Sequence, residues 1–203
     1  MSKTEAMLPR TPPRLILAST SPYRRALLER LGLAFDVLAP RVDETPVAGE
    51  PPPVLAGRLA RAKAMAVAVT APTAVVIGSD QVAEVDGQPV NKPETHAAAT
   101  AQLRLLRGRN VRFHTALCIV RLDPAQSADE RVETDVFYRM LDDEAIERYL
   151  QRERPYDCAG SAKVEGLGIA LTEAVRGDDP TALIGLPLIA LTRLLPRFGL
   201  PVL

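Results

Sequence analysis

The segment Leu15-Ile-Leu-Ala-Ser-Thr-Ser-Pro-Tyr-Arg-Arg-Ala-Leu-Leu-Glu-Arg-Leu-Gly32 constrains the fold most, because an apolar run passes through a hydroxyl-rich turn directly into a helix. Arg14 to Ala18 reads as a short buried strand. Ser21 is a good N-cap, Pro22 suits the first helical position and Gly32 supplies a stop, which predicts an amphipathic helix over Pro22 to Leu31. A helix start of this kind attracts anions through its dipole and its backbone N–H groups. Ser19, Thr20 and Ser21 add hydroxyls, and Arg24 and Arg25 add guanidinium forks that match phosphate oxygens. On this segment alone, an ordinary Ser-Pro cap with two solvated arginines is an equally good reading.

The rest of the chain extends the strand–helix alternation. Phe35 to Ala39 reads as a second strand. Pro40 to Pro53 is a long Pro-rich acidic connection of the kind that carries function. Val54 to Val69 is an Ala-rich helix, and Ala74-Val-Val-Ile-Gly78 is a buried strand too short and too β-branched to be helical. Pro93 to Leu106 is helical. Val111 to Leu122 and Arg131 to Arg139 are strands paired across a polar turn at Asp123 to Asp129. Asp142 caps a helix over Asp143 to Gln151, Gly160 to Gly168 is a glycine-bearing segment, and Leu186 to Leu195 is a last helix. The economical fold is α/β: a mixed twisted sheet with flanking helices. Residues 1 to 13 read as a flexible leader, and 14 to 203 as a single domain.

Composition removes several classes of function. With 25 basic and 25 acidic residues, the chain lacks the bulk charge that draws a protein to nucleic acid. No run approaches the roughly 18 apolar residues of a bilayer span, and the first residues lack the apolar core of a signal peptide, which points to the cytoplasm and away from membranes. Cys118 and Cys158 have neither zinc nor disulfide spacing and read as reduced core thiols. His96 and His114 read as structural. Gly177-Asp-Asp-Pro180 reads first as a turn. The P-loop, dinucleotide-binding, zincin and α/β-hydrolase signatures are all missing.

Among possible reacting groups, Asp80 stands out. It follows the apolar run that ends at Gly78, and ligands of open α/β sheets bind beyond the carboxyl ends of strands. A carboxylate there can hold a divalent cation or take a proton from water. A turn aspartate bonding its own backbone is the commoner occurrence. Lys92, just ahead of Pro93, can place a point charge on a phosphate. Lys63 lies among small residues of the Ala-rich helix, either on a solvated face or aimed into a cleft. Asp43-Glu44 can give a hard metal a second oxygen ligand, since Mg²⁺ takes only one or two protein carboxylates beside substrate phosphates.

Read in order, Leu-Ala-Ser-Thr-Ser-Pro-Tyr-Arg-Arg at 17 to 25, Val-Asp-Glu at 42 to 44, Ala-Lys-Ala at 62 to 64, Gly-Ser-Asp-Gln at 78 to 81, Asn-Lys-Pro at 91 to 93, Ala-Gly-Ser-Ala-Lys-Val-Glu-Gly at 159 to 166 and Ile-Gly-Leu-Pro at 184 to 187 resemble the Maf family of nucleotide pyrophosphatases. The resemblance implies two lobes around a deep cleft, related to the inosine triphosphate pyrophosphatases. It implies hydrolysis of a nucleoside triphosphate to monophosphate and pyrophosphate with a divalent cation, Mg²⁺ or Mn²⁺, in a chain of a family whose members are often homodimers. Asp80 matches the general base. Ser19, Arg24, Lys63 and Lys92 match phosphate-facing residues, and Glu44 matches an acidic cleft position that joins Asp80 at the metal.

Three positions distinguish subgroups of that family, and here they are Tyr23, Gln81 and Glu165. The combination resembles the subgroup acting on 7-methyl-GTP. A carboxylate at 165 can accept from guanine N1–H and the 2-amino group, and an aromatic at 23 favours a cationic, N7-methylated base. The resemblance leaves two alternatives: a dTTP and UTP pyrophosphatase, and a nucleotide-binding regulator of septum formation.

Overall fold

The computed structural model describes residues 12–203, so the expected leader lies, up to residue 11, outside the described residues. The elements run β1 (Leu15–Ala18), α1 (Pro22–Glu29), β2 (Asp36–Leu38), α2 (Pro52–Ala68), β3 (Val75–Val85), β4 (Gln88–Val90), α3 (His96–Leu106), β5 (Asn110–Leu122), β6 (Ala125–Tyr138), α4 (Asp143–Glu153), β7 (Thr172–Arg176) and α5 (Leu188–Leu194). They form one seven-stranded sheet in the order β2-β1-β3-β5-β6-β7, with β4 added to β3. The β1 pairings with β2 and β3 are parallel and all the others antiparallel, which makes this the mixed sheet expected from the alternation.

Period-2 alternation along the strands separates two cores. Leu15, Leu17, Val75, Ile77, Leu117 and Ile119 face α1 and α5. Ile16, Val76, Cys118 and Val120 face α2, which buries Leu55, Leu59, Ala60, Ala64 and Val67. The far ends of β3, β5 and β6 carry a third core, where Val85, Val111, Phe113 and Val136 pack against Leu103 and Leu106 of α3 and Ile146 and Leu150 of α4. Two lobes therefore share three long strands. A cleft opens between them along β3, where β1 has stopped at the level of Gly78 and β4 does not join until Ala83.

Gly78 sets how closely α2 approaches that strand. A Cβ built there would lie 2.2 Å from the Ala60 carbonyl oxygen and 2.6 Å from the Ala64 nitrogen, both backbone atoms that cannot move aside singly. Gly78→Ala is expected to force the helix off the sheet. The cost is about 3 kcal/mol, a fall of about 6–12 °C in melting temperature that calorimetry would read.

Several boundaries differ from the sequence expectation, each for a local reason. The strand expected to end at Gly78 continues to Val85 because β5 pairs with it as far as Glu84, so Asp80 sits within a strand and not beyond its end. The carboxyl-end rule instead fits β1, whose last residue pairs with Gly78. The polar turn at Asp123 to Asp129 contracts, because β6 begins at Ala125 and pairs with Leu122. α3 starts at His96, since Glu94 adopts φ +61° and Thr95 takes the cap by accepting from the Ala98 N–H. α5 is shorter than expected and continues as a 3-10 turn over Leu195–Phe198. β7 was not expected at all; only half-buried residues, Thr172 and Ala174, interrupt its exposed ones.

Candidate active site

The cleft encloses about 790 Å³. Ser19, Tyr23, Arg24, Glu44, Lys63, Asp80, Gln81, Lys92 and Glu165 all line it, whereas Arg25, paired with Glu29 at 2.9 Å, and Asp43, which accepts from the Thr45 N–H at 2.9 Å, stay on the exposed surface outside it.

The hydroxyl turn builds one wall. The Ser19 Oγ accepts from the Ser21 N–H at 3.0 Å, and the Ser21 Oγ accepts from the Arg24 N–H at 3.3 Å. Two N–H groups that would otherwise face an anion are thus satisfied internally, and anion attraction at this end falls to the dipole and to Arg24. The Arg24 Nε donates to the Gly185 carbonyl at 2.8 Å, which holds the rest of the guanidinium toward the cleft. No carboxylate among the described residues comes within ion-pair distance of it. Burial lowers the Arg24 pKa, partly opposed by the fields of Asp80 and Glu44, yet a guanidinium keeps its charge throughout the neutral range.

Alternation along β3 sends Ser79 and Gln81 to one side and Asp80 to the other. The Ser79 Oγ contacts the Gly185 carbonyl at 2.9 Å, so this one oxygen also receives Arg24 and ties the 182–185 segment to the strand. Gly185 sits at φ +116°, a conformation that L side chains rarely adopt. The Gln81 amide nitrogen is turned toward the Thr115 Oγ1, the Ala182 carbonyl and the Leu183 carbonyl, at 2.9, 2.9 and 3.0 Å. Its orientation is thereby fixed, with the amide oxygen as the end left for a ligand.

On the opposite side, Lys63 belongs to the buried stripe of α2 and its Nζ donates to the Asp80 Oδ1 at 2.6 Å. The same Nζ lies 3.0 Å from the Glu44 Oε1. Of the two sequence readings of Lys63, the structure takes the one aimed into the cleft. Lys63 and Asp80 are 6 % and 7 % exposed, whereas the Glu44 side chain is largely open to solvent. Arg58 fixes the connection that bears Glu44, by a bidentate pair with Glu50 at 2.7 and 2.8 Å and a donation to the Thr45 carbonyl at 3.1 Å. Lys92 is exposed at the rim and forms no ion pair among the described residues.

The second lobe supplies the far wall. Glu165 is exposed and lines the cleft, and its carboxylate forms no hydrogen bond or ion pair among the described residues. The work of holding its turn falls to Glu153, which sequence reasoning missed: it accepts from the Leu167 N–H at 2.8 Å and pairs with Lys163 at 3.5 Å. The i, i+4 patterning of α4 gives no sign of this, because the partner segment is remote in sequence. Tyr23 reaches across from α1. Its hydroxyl lies 3.3 Å from the Asp157 Oδ2, and the Lys163 Nζ stands 5.4 Å from its ring centroid. Cys158 lines the cleft and is not a core thiol as expected, whereas Cys118 is fully buried.

Burial, then the fields of Asp157 and Glu165, push the Cys158 thiol up to about 12. At pH 8 its alkylation by iodoacetamide should be at least ~100-fold slower than that of free cysteine, because only the thiolate reacts. A rate near that of free cysteine would contradict this placement.

The remaining expectations have structural outcomes. Asp179 of the Gly-Asp-Asp-Pro run is 2 % exposed and accepts from the Thr181 N–H, the Thr181 hydroxyl and the Ile189 N–H, so it is a turn-former. His114 is buried against Glu84 at 2.6 Å, and His96 bridges Tyr156 and Glu147. No helix among the described residues is long and apolar enough to cross a membrane.

The cleft between the two α/β lobes thus holds two cations, Arg24 and Lys92, that form no ion pair among the described residues, beside the buried Lys63–Asp80 pair, an arrangement suited to an anionic ligand. The chain belongs to the family described as Maf-like protein, whose model matches residues 14–198. It is 60% identical over 197 residues to the 7-methyl-GTP pyrophosphatase of Paraburkholderia xenovorans, covering 95% of each chain. It is 61% identical over 188 residues to that of Bordetella avium, covering 93% of this chain and 94% of the relative. Among solved structures, the Staphylococcus aureus Ham1 protein gives a TM-score of 0.45 at 16% identity, over 62% of this chain and 71% of that one.

Proposed function

We infer that this protein hydrolyses 7-methyl-GTP to 7-methyl-GMP and pyrophosphate. The observation that carries the reading is the division of the cleft: among the described residues Arg24 and Lys92 form no ion pair, and on the other lobe the Glu165 carboxylate has neither a hydrogen bond nor an ion pair. The curated names of the relatives agree with it. Arg24 and Lys92 bind the triphosphate, with the Ser19 hydroxyl beside them. Glu165 accepts from N1–H and the 2-amino group of the guanine, where an amide would present a donor to donors. Gln81, its nitrogen committed to protein acceptors, offers an oxygen only.

Asp80 is the general base. Lys63 orients it through Oδ1 and leaves Oδ2 without a donor among the described residues. Asp80 removes a proton from water as the water oxygen attacks the α-phosphorus, the bond to the β-phosphate oxygen breaks, and pyrophosphate leaves. Asp80 and Glu44 fit a divalent cation, Mg²⁺ or Mn²⁺: Lys63 draws them together through Oδ1 and Oε1, each keeps its other oxygen without a donor among the described residues, and no third His, Cys, Asp or Glu among those residues completes a protein cage. Two carboxylates plus phosphate oxygens is the usual set for Mg²⁺. Bound there, the ion would offset charge on the triphosphate.

Pyrophosphate release from 7-methyl-GTP, GTP, dTTP and UTP, each with Mg²⁺ or Mn²⁺, tests the assignment. The expected result is the highest kcat/KM for 7-methyl-GTP; a higher value for dTTP or UTP would overturn it. Arg24→Ala should raise KM for all four substrates alike, by about 10–100-fold for one charge-assisted contact. A loss confined to guanine nucleotides would move Arg24 to the base.

A further inference from the structure

Glu165 reads an edge that the methylated and the unmethylated base share. GTP and 7-methyl-GTP present the same N1–H and 2-amino donors to a carboxylate, and they differ in the methyl group and in the positive charge that methylation places on the five-membered ring. A group beside the five-membered ring responds to this charge most directly. Alkylated cations are recognised by an aromatic face with a carboxylate beside it.

One such pair lines the cleft. The Tyr23 hydroxyl lies 3.3 Å from the Asp157 Oδ2, so the carboxylate and the ring form one unit drawn from the two lobes. The other Asp157 oxygen accepts from the Cys158 thiol at 3.6 Å, and no cation among the described residues forms an ion pair with the carboxylate. The ring is within reach of a cation, since the Lys163 Nζ stands 5.4 Å from its centroid. That ammonium is compensated by Glu153 and is not part of the cleft lining. Asp80 and Glu44 are engaged by Lys63. Glu94, also on the cleft wall, donates its backbone N–H to the Tyr156 carbonyl, but its carboxylate has no side-chain partner among the described residues.

We propose that Asp157, together with the Tyr23 ring, is a specificity-determining site for the positive charge of an N7-alkylated purine nucleotide. The inference rests on the 7-methyl-GTP reading and adds a residue to it. Glu165 selects the guanine edge, and Asp157 selects the methylated over the unmethylated guanine.

The test is kcat/KM for 7-methyl-GTP and for GTP in the wild type, Asp157→Asn, Asp157→Ser and Glu94→Gln. Removing the charge at 157 should lower the 7-methyl-GTP to GTP ratio about tenfold with the GTP rate kept, as for one partly exposed charge at contact range. The Asp157→Ser protein, which also shortens the side chain, should fall as far. Glu94→Gln should leave the ratio unchanged. A wild type that prefers 7-methyl-GTP, joined to a folded Asp157→Asn or Asp157→Ser protein with the same ratio, overturns the proposal and leaves the substrate reading standing. A wild type without the preference overturns both.

Discussion

Asp80→Asn is expected to lower turnover by about two to four orders of magnitude, the usual range for loss of a positioned base, while nucleotide binding survives. The amide has the shape of the carboxylate and its oxygen can still accept from the Lys63 Nζ, now 2.6 Å from Oδ1. Lys63 also retains Glu44 at 3.0 Å, so its buried ammonium is not left alone. The fold should therefore persist, with a lowered melting temperature because one partner of a buried pair has lost its charge. Single-turnover assays with circular dichroism as the folding control separate the two effects. Near-normal turnover in a folded variant would put the base elsewhere, with Glu44 the next carboxylate on the same ammonium.

The second large effect concerns substrate choice. Glu165→Gln leaves an amide NH₂ facing the guanine donors, and a mispaired donor that excludes water costs on the order of 1–3 kcal/mol. The kcat/KM for 7-methyl-GTP should fall about tenfold to a hundredfold. dTTP should be little affected, since an amide can satisfy a pyrimidine edge. Glu165 has no partner among the described residues, so the change should cost almost no stability. Glu153, which holds the Leu167 N–H and Lys163, behaves in the opposite way: its substitution should lower the melting temperature first. An unchanged ratio in a folded Glu165→Gln protein would remove the guanine-reading role.

Local signals in the chain were the ones readable from sequence. The Ser21 cap, Pro22 start, buried β1 and paired β5 and β6 each rest on neighbours a few residues apart, and all are present. Asp80 was found for a reason that the structure corrects. It follows an apolar run, but that run is only the half of β3 flanked by β1, and pairing with β5 carries the strand past it. Lys63 was ambiguous because a helix of small residues shows little contrast between its faces; only the docking of α2 on Gly78 brings its Nζ to Asp80. Glu153 and Asp157 were invisible for a further reason. Their partners, Leu167 and Tyr23, are set by how the second lobe folds back on the first, and no spacing in the chain encodes that meeting.

The proposed chemistry is tested most directly by the fate of the attacking oxygen. Hydrolysis of 7-methyl-GTP in ¹⁸O-labelled water with Mg²⁺, followed by mass spectrometry, should give 7-methyl-GMP carrying one ¹⁸O atom and unlabelled pyrophosphate. Formation of 7-methyl-GDP with inorganic phosphate, or of labelled pyrophosphate with unlabelled 7-methyl-GMP, would contradict attack at the α-phosphorus.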